Sequence, residues 1–184
     1  YNENLHPDVM DLADQEIYKN IFHEGRWAGV FQFTEPGAQN FCTKVKPCNI
    51  IDISAATAIF RPGPLSAGVD TDYMEAKNHP QYVSYLSDES REITEETFGF
   101  LIFQEQIALL AHKLGGLTLD EGNLLRKVLT KKGTGKANIK TKLKVKFVDG
   151  CAAKGISRDA ATALWTKFEF FSGYGFNKSH AVSY

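Results

Sequence analysis

The sequence predicts a mainly α chain of several helices with little β structure, and three observations carry that prediction. Apolar residues recur at i, i+3, i+4 and i+7 in most segments, the period of an amphipathic helix. Ser, Thr, Asp or Asn precedes many of those segments, and Gly or Pro follows them, as helix starts and stops require. Only two short runs, near 28–33 and 98–103, are dense in strand formers, so short strands are expected there. With 43% apolar and 23% charged residues over 184 positions, the chain is globular in composition, long enough for one substantial domain or two small ones. No run approaches the roughly 18 apolar residues of a membrane helix, and no signal peptide is visible. The ends at Tyr1 and Tyr184 are abrupt and suggest a piece excised from something longer.

In chain order, Asp14 caps a short helix with Ile17, Tyr18, Ile21 and Phe22 on one face, and Gly25 stops it. Thr34-Glu-Pro36 starts a second, because proline fits the first turn, with Ala38, Phe41, Cys42 and Val45 inward until Pro47. Asn49 and Asp52 start a third, facing inward through Ile53, Ala56 and Phe60. Arg61-Pro-Gly-Pro64 breaks it, and two prolines around a glycine fix a rigid turn that holds Arg61 in place. The charge of Arg61 also suits a cap on the preceding helix end.

Asp70-Thr-Asp72 opens a helix as first-turn aspartates rather than as a metal pair, and His79-Pro80 ends it. The acidic stretch to Thr97 reads as surface and loop. Ile107, Leu110, Ala111 and Leu114 then make a core face that ends at Gly115-Gly116. Thr118-Leu-Asp-Glu121 has capping-box spacing, with Leu124, Leu125 and Val128 inward and Arg126 and Lys127 on the other sides. Ile139, Leu143 and Phe147 face inward on the next helix, and Ser157 caps the last, on which Ala161, Leu164, Trp165 and Phe168 are the buried stripe. The total is seven or eight helices.

A net charge of −1 hides an asymmetry. Arg126, Lys127, Lys131, Lys132, Lys136, Lys140, Lys142, Lys144 and Lys146 are nine of the 21 basic residues, with no acid among them. Such a stripe is the footprint of a polyanion-binding face, or simply a solvated helix surface; both stay open here. The three cysteines lack C-x-x-C spacing and point to a reducing compartment. The five histidines form no ligand pair, so no metal site is expected within the chain. Gly135-Lys136 invites a phosphate-loop reading, but that motif needs glycine at 130 and Ser or Thr at 137, where the chain has Thr130 and Ala137. No Ser-His-Asp or Cys-His arrangement is visible, and no catalytic residue is assigned.

The most distinctive stretch is Phe171-Ser-Gly-Tyr-Gly-Phe-Asn-Lys-Ser-His180. Gly173 and Gly175 would let the chain turn sharply beneath Tyr174. Tyr174 and Phe176 offer flat apolar faces, and Asn177, Lys178, Ser179 and His180 add donors, acceptors and charge. That chemistry suits a ligand flat at one end and anionic at the other, such as a nucleotide.

Gly29-Val-Phe-Gln-Phe33, Phe60-Arg-Pro-Gly-Pro64, Phe103-Gln-Glu-Gln106, Leu124-Leu-Arg-Lys127 with Lys131-Lys132, and Gly173-Tyr-Gly-Phe-Asn-Lys-Ser-His180 stand in one order. In these blocks the chain resembles the bacterial replicative DNA polymerases of the C family, the alpha subunit of DNA polymerase III. The resemblance covers the chain from about Gly29 onward and is weaker before it. It implies that residues 1–28 are a lead-in helix from the palm side and that 29–184 are the helical, basic fingers domain, with 118–180 facing nucleotide and DNA.

It also implies nucleotide contacts by Arg61, Arg126, Lys127, Tyr174, Gly175, Phe176, Asn177, Lys178, Ser179 and His180. DNA contacts are expected from Lys131, Lys132, Lys136, Lys140 and Lys144. The implied partners are template-primer DNA, a deoxynucleoside triphosphate, the palm of the same polymerase and replisome subunits, in a cytoplasmic setting without a membrane. Magnesium is expected on palm aspartates upstream, so no cofactor is assigned to this chain, which alone is expected to be inactive. Two departures stand out: Lys127 replaces a second arginine and lacks the bidentate fork, and Phe103 replaces a tyrosine. With Thr130 and the Gly133-Thr-Gly135 loop, these suggest a divergent member such as one from a phage. A non-catalytic helical module that binds DNA or protein is the alternative.

Overall fold

A computed structural model describes residues 6, 8–130, 137–171 and 173–183. The helices are α1 (Gln15–Ile17), α2 (Pro36–Val45), α3 (Ile50–Ile59), α4 (Pro62–Ser66), α5 (Val69–Asn78), α6 (Asp88–Thr94), α7 (Gln104–Lys113), α8 (Leu119–Thr130), α9 (Ala137–Ala153), α10 (Arg158–Phe171) and α11 (Lys178–Ser183). A π-helical segment, Tyr18–His23, continues α1. The chain is therefore mainly α, as expected, but with more helices than seven or eight.

The additional helices are short. Pro62–Ser66 is a helix rather than only a rigid turn, with its prolines in the first turn. The acidic stretch taken as loop contains α6, which Ser87 and Ser90 start reciprocally: the Ser90 N–H donates to Ser87 Oγ at 3.2 Å and the Ser87 N–H to Ser90 Oγ at 2.9 Å.

The expected starts hold. Asp14 Oδ1 accepts the Glu16 N–H at 2.9 Å, Asn49 Oδ1 the Asp52 N–H at 2.8 Å, and Ser157 Oγ the Ala160 N–H at 3.2 Å. At α8, Glu121 Oε2 accepts the Thr118 N–H at 2.8 Å and Thr118 Oγ1 the Glu121 N–H at 3.2 Å. Three inward assignments fail, at Leu124, Ile139 and Ile17. Leu124 is 39% exposed while Leu125 and Val128 are buried, and Ile139 is 37% exposed while Leu143, Phe147 and Cys151 carry the α9 stripe. Ile17 also points outward.

Neither expected strand forms among the described residues. Near 28–33, Gly29 (φ 82°) and Gln32 (φ 71°) are left-handed, and two such residues in so short a run fold it into turns. At 98–103, Phe98 and Gly99 are left-handed as well. The backbone there satisfies itself on side chains: Gln106 Oε1 accepts the N–H groups of Ile102 (2.8 Å) and Phe103 (3.0 Å), and Thr97 Oγ1 donates to the Phe100 carbonyl (2.7 Å). Among the described residues a single parallel bridge, Phe103 to Phe176, is what remains of β pairing.

Two apolar cores build the molecule. The first gathers Tyr18, Phe22, Phe33, Phe41, Val45, Ile59, Tyr73, Ile102 and Phe103. The second gathers Ile107, Leu110, Leu114, Leu125, Phe147, Trp165, Phe168 and Phe171. The seam falls at the start of α7, between Phe103 and Ile107, and the chain recrosses it after α10, because Ala181 of α11 returns to the first core against α3. In the second core, α9 meets the α7–α8 loop so closely that a Cβ on Gly150 would stand 1.9 Å from the Gly115 carbonyl oxygen. In the first, Lys77 of α5 reaches the buried Asp52 of α3, Nζ to Oδ2 2.6 Å, and ties the two helices.

Candidate functional site

At the seam, the start of α7, the Arg61–Pro64 segment and the 173–177 turn come together. The turn leaves α10 by donating the Tyr174 and Gly175 N–H groups to the Phe171 carbonyl at 2.8 and 2.9 Å. Gln104 N–H donates to the Phe176 carbonyl (2.8 Å) and the Phe176 N–H to the Ile102 carbonyl (3.2 Å), which is the bridge between the two crossings.

The glycines work differently from the sequence-based expectation. Neither Gly173 nor Gly175 is left-handed, so the turn needs no glycine φ there. Gly175 is needed for close approach: a Cβ would lie 2.8 Å from Gln104 Cγ and 3.1 Å from Phe171 Cε1. Gly63 plays the same part beneath Tyr174, where a Cβ would lie 2.4 Å from ring Cδ1. Tyr174 thus rests on the Arg61–Pro64 segment, with the Phe170 ring edge-on at 5.6 Å.

Arg61 takes the capping role and also reaches the turn. Its Nε donates to the Ala58 carbonyl at 2.7 Å and caps α3, while Nη2 donates to the Tyr174 carbonyl. Its guanidinium lies 4.7 Å from the Phe176 ring centroid, a cation–π distance. Burial pulls its pKa below the usual arginine value.

The polar run after Phe176 is largely tied down by partners from elsewhere. Asn177 Oδ1 accepts from the His180 N–H (2.9 Å) and from Ser179 Oγ (2.6 Å), which makes Asn177 the cap of α11. Glu105 accepts from Asn177 Nδ2 at 2.7 Å and from the Lys178 N–H at 3.0 Å. Lys178 Nζ pairs with Glu96 at 2.7 Å and sits 5.7 Å from the Phe103 centroid. The exposed His180 ring tilts against Phe176 at 5.5 Å. Glu96, Gln104 and Glu105 are the residues that sequence reasoning missed as members of this cluster. Gln104 and Glu105 had been visible only as part of a motif block.

Arg126 joins the cluster. Rather than projecting from α8, it is half-buried, and its Nη1 donates to Gln104 Oε1 at 2.8 Å. Arg61, Arg126 and Lys178 therefore gather in one cluster with Glu96 and Glu105. Lys127 is exposed beside it.

The basic stripe divides in three dimensions. Lys140 and Lys144 share one face of α9, where Lys140 Nζ pairs with Glu169 of α10 at 2.8 Å. Lys146, on another face, pairs with Glu121 of α8 at 2.6 Å. Burial raises the Glu169 pKa, but hydrogen bonds from Lys140 and Trp165 outweigh that and hold it below the usual range. Lys131, Lys132 and Lys136 lie outside the described residues.

Among the described residues no three His, Cys, Asp or Glu side chains gather as metal ligands. No helix among them is long and apolar enough to cross a membrane. The arrangement offers an aromatic surface, basic side chains and backbone held by side-chain hydrogen bonds, a chemistry that suits a flat, anionic ligand.

A family model described as the bacterial DNA polymerase III alpha subunit finger domain matches residues 1–155. Curated relatives called DNA polymerase III subunit alpha align with nearly all of the chain. The one from Campylobacter jejuni is 34% identical over 184 residues, covering 100% of this chain and 15% of the relative. The one from Aquifex aeolicus is 36% identical over 175 residues, covering 95% and 15%. The one from Bacillus subtilis is 33% identical over 184 residues, covering 99% and 16%. The chain thus spans about 15% of the length of these relatives.

Proposed function

The chain belongs to the bacterial DNA polymerase III alpha subunit finger domain family, and from that premise we propose that the α7–turn–Arg126 cluster receives the incoming deoxynucleoside triphosphate. In this reading Arg126, with Lys127 beside it, takes the triphosphate, and the Tyr174–His180 segment, steadied by Arg61, lies along base and sugar. Lys140 and Lys144, with Lys131, Lys132 and Lys136, line the path of template-primer DNA. Lys140 would exchange Glu169 for phosphate. The metal-holding carboxylates belong to the palm of the same polymerase, and the setting is the cytoplasm. Primer extension by the purified 184-residue chain would contradict that division of labour.

The observation that supports this most is that Arg126, far from the turn in sequence, is brought to it through Gln104. A preorganised guanidinium makes charge-assisted bonds to phosphate at no reorganisation cost. In the full polymerase, Arg126→Ala should lower kcat/KM by an amount equal to roughly 2–4 kcal/mol of transition-state stabilisation, as for loss of one such donor. The loss should be alike for all four nucleotides, since phosphate contacts carry no base information. Wild-type kinetics, or a defect confined to one base, would contradict the assignment.

A further inference from the structure

We propose that Gln104 is a positioning residue that sets Arg126 and the 173–177 turn in register, so that groups from two helical hairpins act on one nucleotide as a unit. The proposal rests on the nucleotide reading above.

Three successive carbonyls of the turn are taken by two residues. Arg61 Nη2 donates to Tyr174 O, Gln104 Nε2 to Gly175 O at 2.8 Å, and the Gln104 N–H to Phe176 O at 2.8 Å. The position of the turn is therefore dictated by Arg61 and Gln104. Gln104 also accepts from Arg126 Nη1 through Oε1, at 2.8 Å. One amide thus donates to the turn and accepts from the arginine.

That pairing explains the residue type. A glutamate at 104 would accept from Arg126 but set an oxygen against the Gly175 carbonyl, and an aliphatic residue would serve neither. The crossing also requires a glycine at 175, because Gln104 Cγ occupies the space a Cβ would take. The neighbouring Glu105 fixes the far half of the turn through Asn177 and Lys178. With Arg61 holding the Tyr174 carbonyl, Gln104 and Glu105 at the α7 start hold the rest of the segment, and Gln104 extends the hold to Arg126.

The test is a double-mutant cycle in the full-length polymerase, by single-nucleotide incorporation with wild type, Gln104→Met, Arg126→Ala and the double variant. Met keeps the length and removes both hydrogen bonds. Gln104→Met should lower kcat/KM about tenfold, with a KM rise for all four nucleotides. Arg126→Ala should cost distinctly less in the Gln104→Met background than in wild type, a result that general loosening does not give. Losses that multiply independently, or wild-type kinetics for Gln104→Met, would overturn the proposal.

A second readout needs no nucleotide: Arg126→Ala should speed hydrogen exchange at the Gly175 and Phe176 amides. If Arg126→Ala keeps wild-type kinetics but exchange at these amides quickens, the nucleotide reading fails while the coupling stands. Unchanged exchange would overturn the coupling itself.

Discussion

Lys77→Met should cost this domain a large part of its stability, and the structure says why. Asp52 is 1% exposed, and Lys77 Nζ is 2.6 Å from its Oδ2. Without that ammonium, the carboxylate keeps the Cys48 N–H at 2.9 Å and the Tyr73 hydroxyl at 3.5 Å, the latter at the edge of hydrogen bonding. A buried charge that loses its partner costs roughly 3–5 kcal/mol. For a domain of this size each kcal/mol moves Tm by about 2–4 °C, so a fall on the order of 10 °C is expected. Met retains the apolar stem of lysine, so the loss reports the charge rather than a cavity. Asp52→Asn added to Lys77→Met removes the stranded charge and should recover much of the loss. Thermal and urea denaturation of wild type and the two variants, followed by circular dichroism, measure this. A loss under about 1 kcal/mol for Lys77→Met, or a further loss on adding Asp52→Asn, would refute the reasoning. The effect reaches the site because α3, which Lys77 anchors to α5, ends beside Arg61.

Gly63→Ala should destabilise the chain by about 1–3 kcal/mol through overpacking against Tyr174, and it should weaken nucleotide use in the polymerase; a wild-type Tm with wild-type KM would show that Tyr174 does not rest there. The Glu169 carboxylate titrates below its usual range, so its stabilising contribution is full above the unfolded value of about 4.3 and is lost as pH falls through the lower, folded value. Glu169→Gln should therefore flatten the decline of stability below about pH 5, monitored through the adjacent Trp165, whose Nε1 donates to Glu169 at 2.9 Å; an unchanged pH profile would count against the pairing.

Much of the fold was legible because it follows from local chemistry. The stripe of α2, the core face of α7 and the caps at Asp14, Asn49, Thr118 and Ser157 all lie within a few residues of what they stabilise. α6 was hidden because its start depends on two serines bonding each other rather than on an apolar period. The strand-like run at 98–103 misled because strand formers need a partner strand, whereas here Gln106 and Thr97 satisfy the backbone.

At the site, the turn and Arg61 were legible as motifs, but their partners were not. Glu96, Gln104 and Glu105 lie far from the turn in sequence, and nothing in their spacing says which carbonyl or ammonium they will meet. The basic stripe shows the same limit. Its sequence contains no acid, yet folding brings Glu121 and Glu169 against it.

The most direct measurement is a structure of the full polymerase trapped with primer-template DNA and an unreactive deoxynucleoside triphosphate. The account predicts the triphosphate within hydrogen-bond distance of Arg126, base and sugar along Tyr174–His180, and Gln104 still bridging Arg126 and Gly175. A triphosphate bound away from Arg126, with the 173–177 turn facing protein instead of nucleotide, would contradict it.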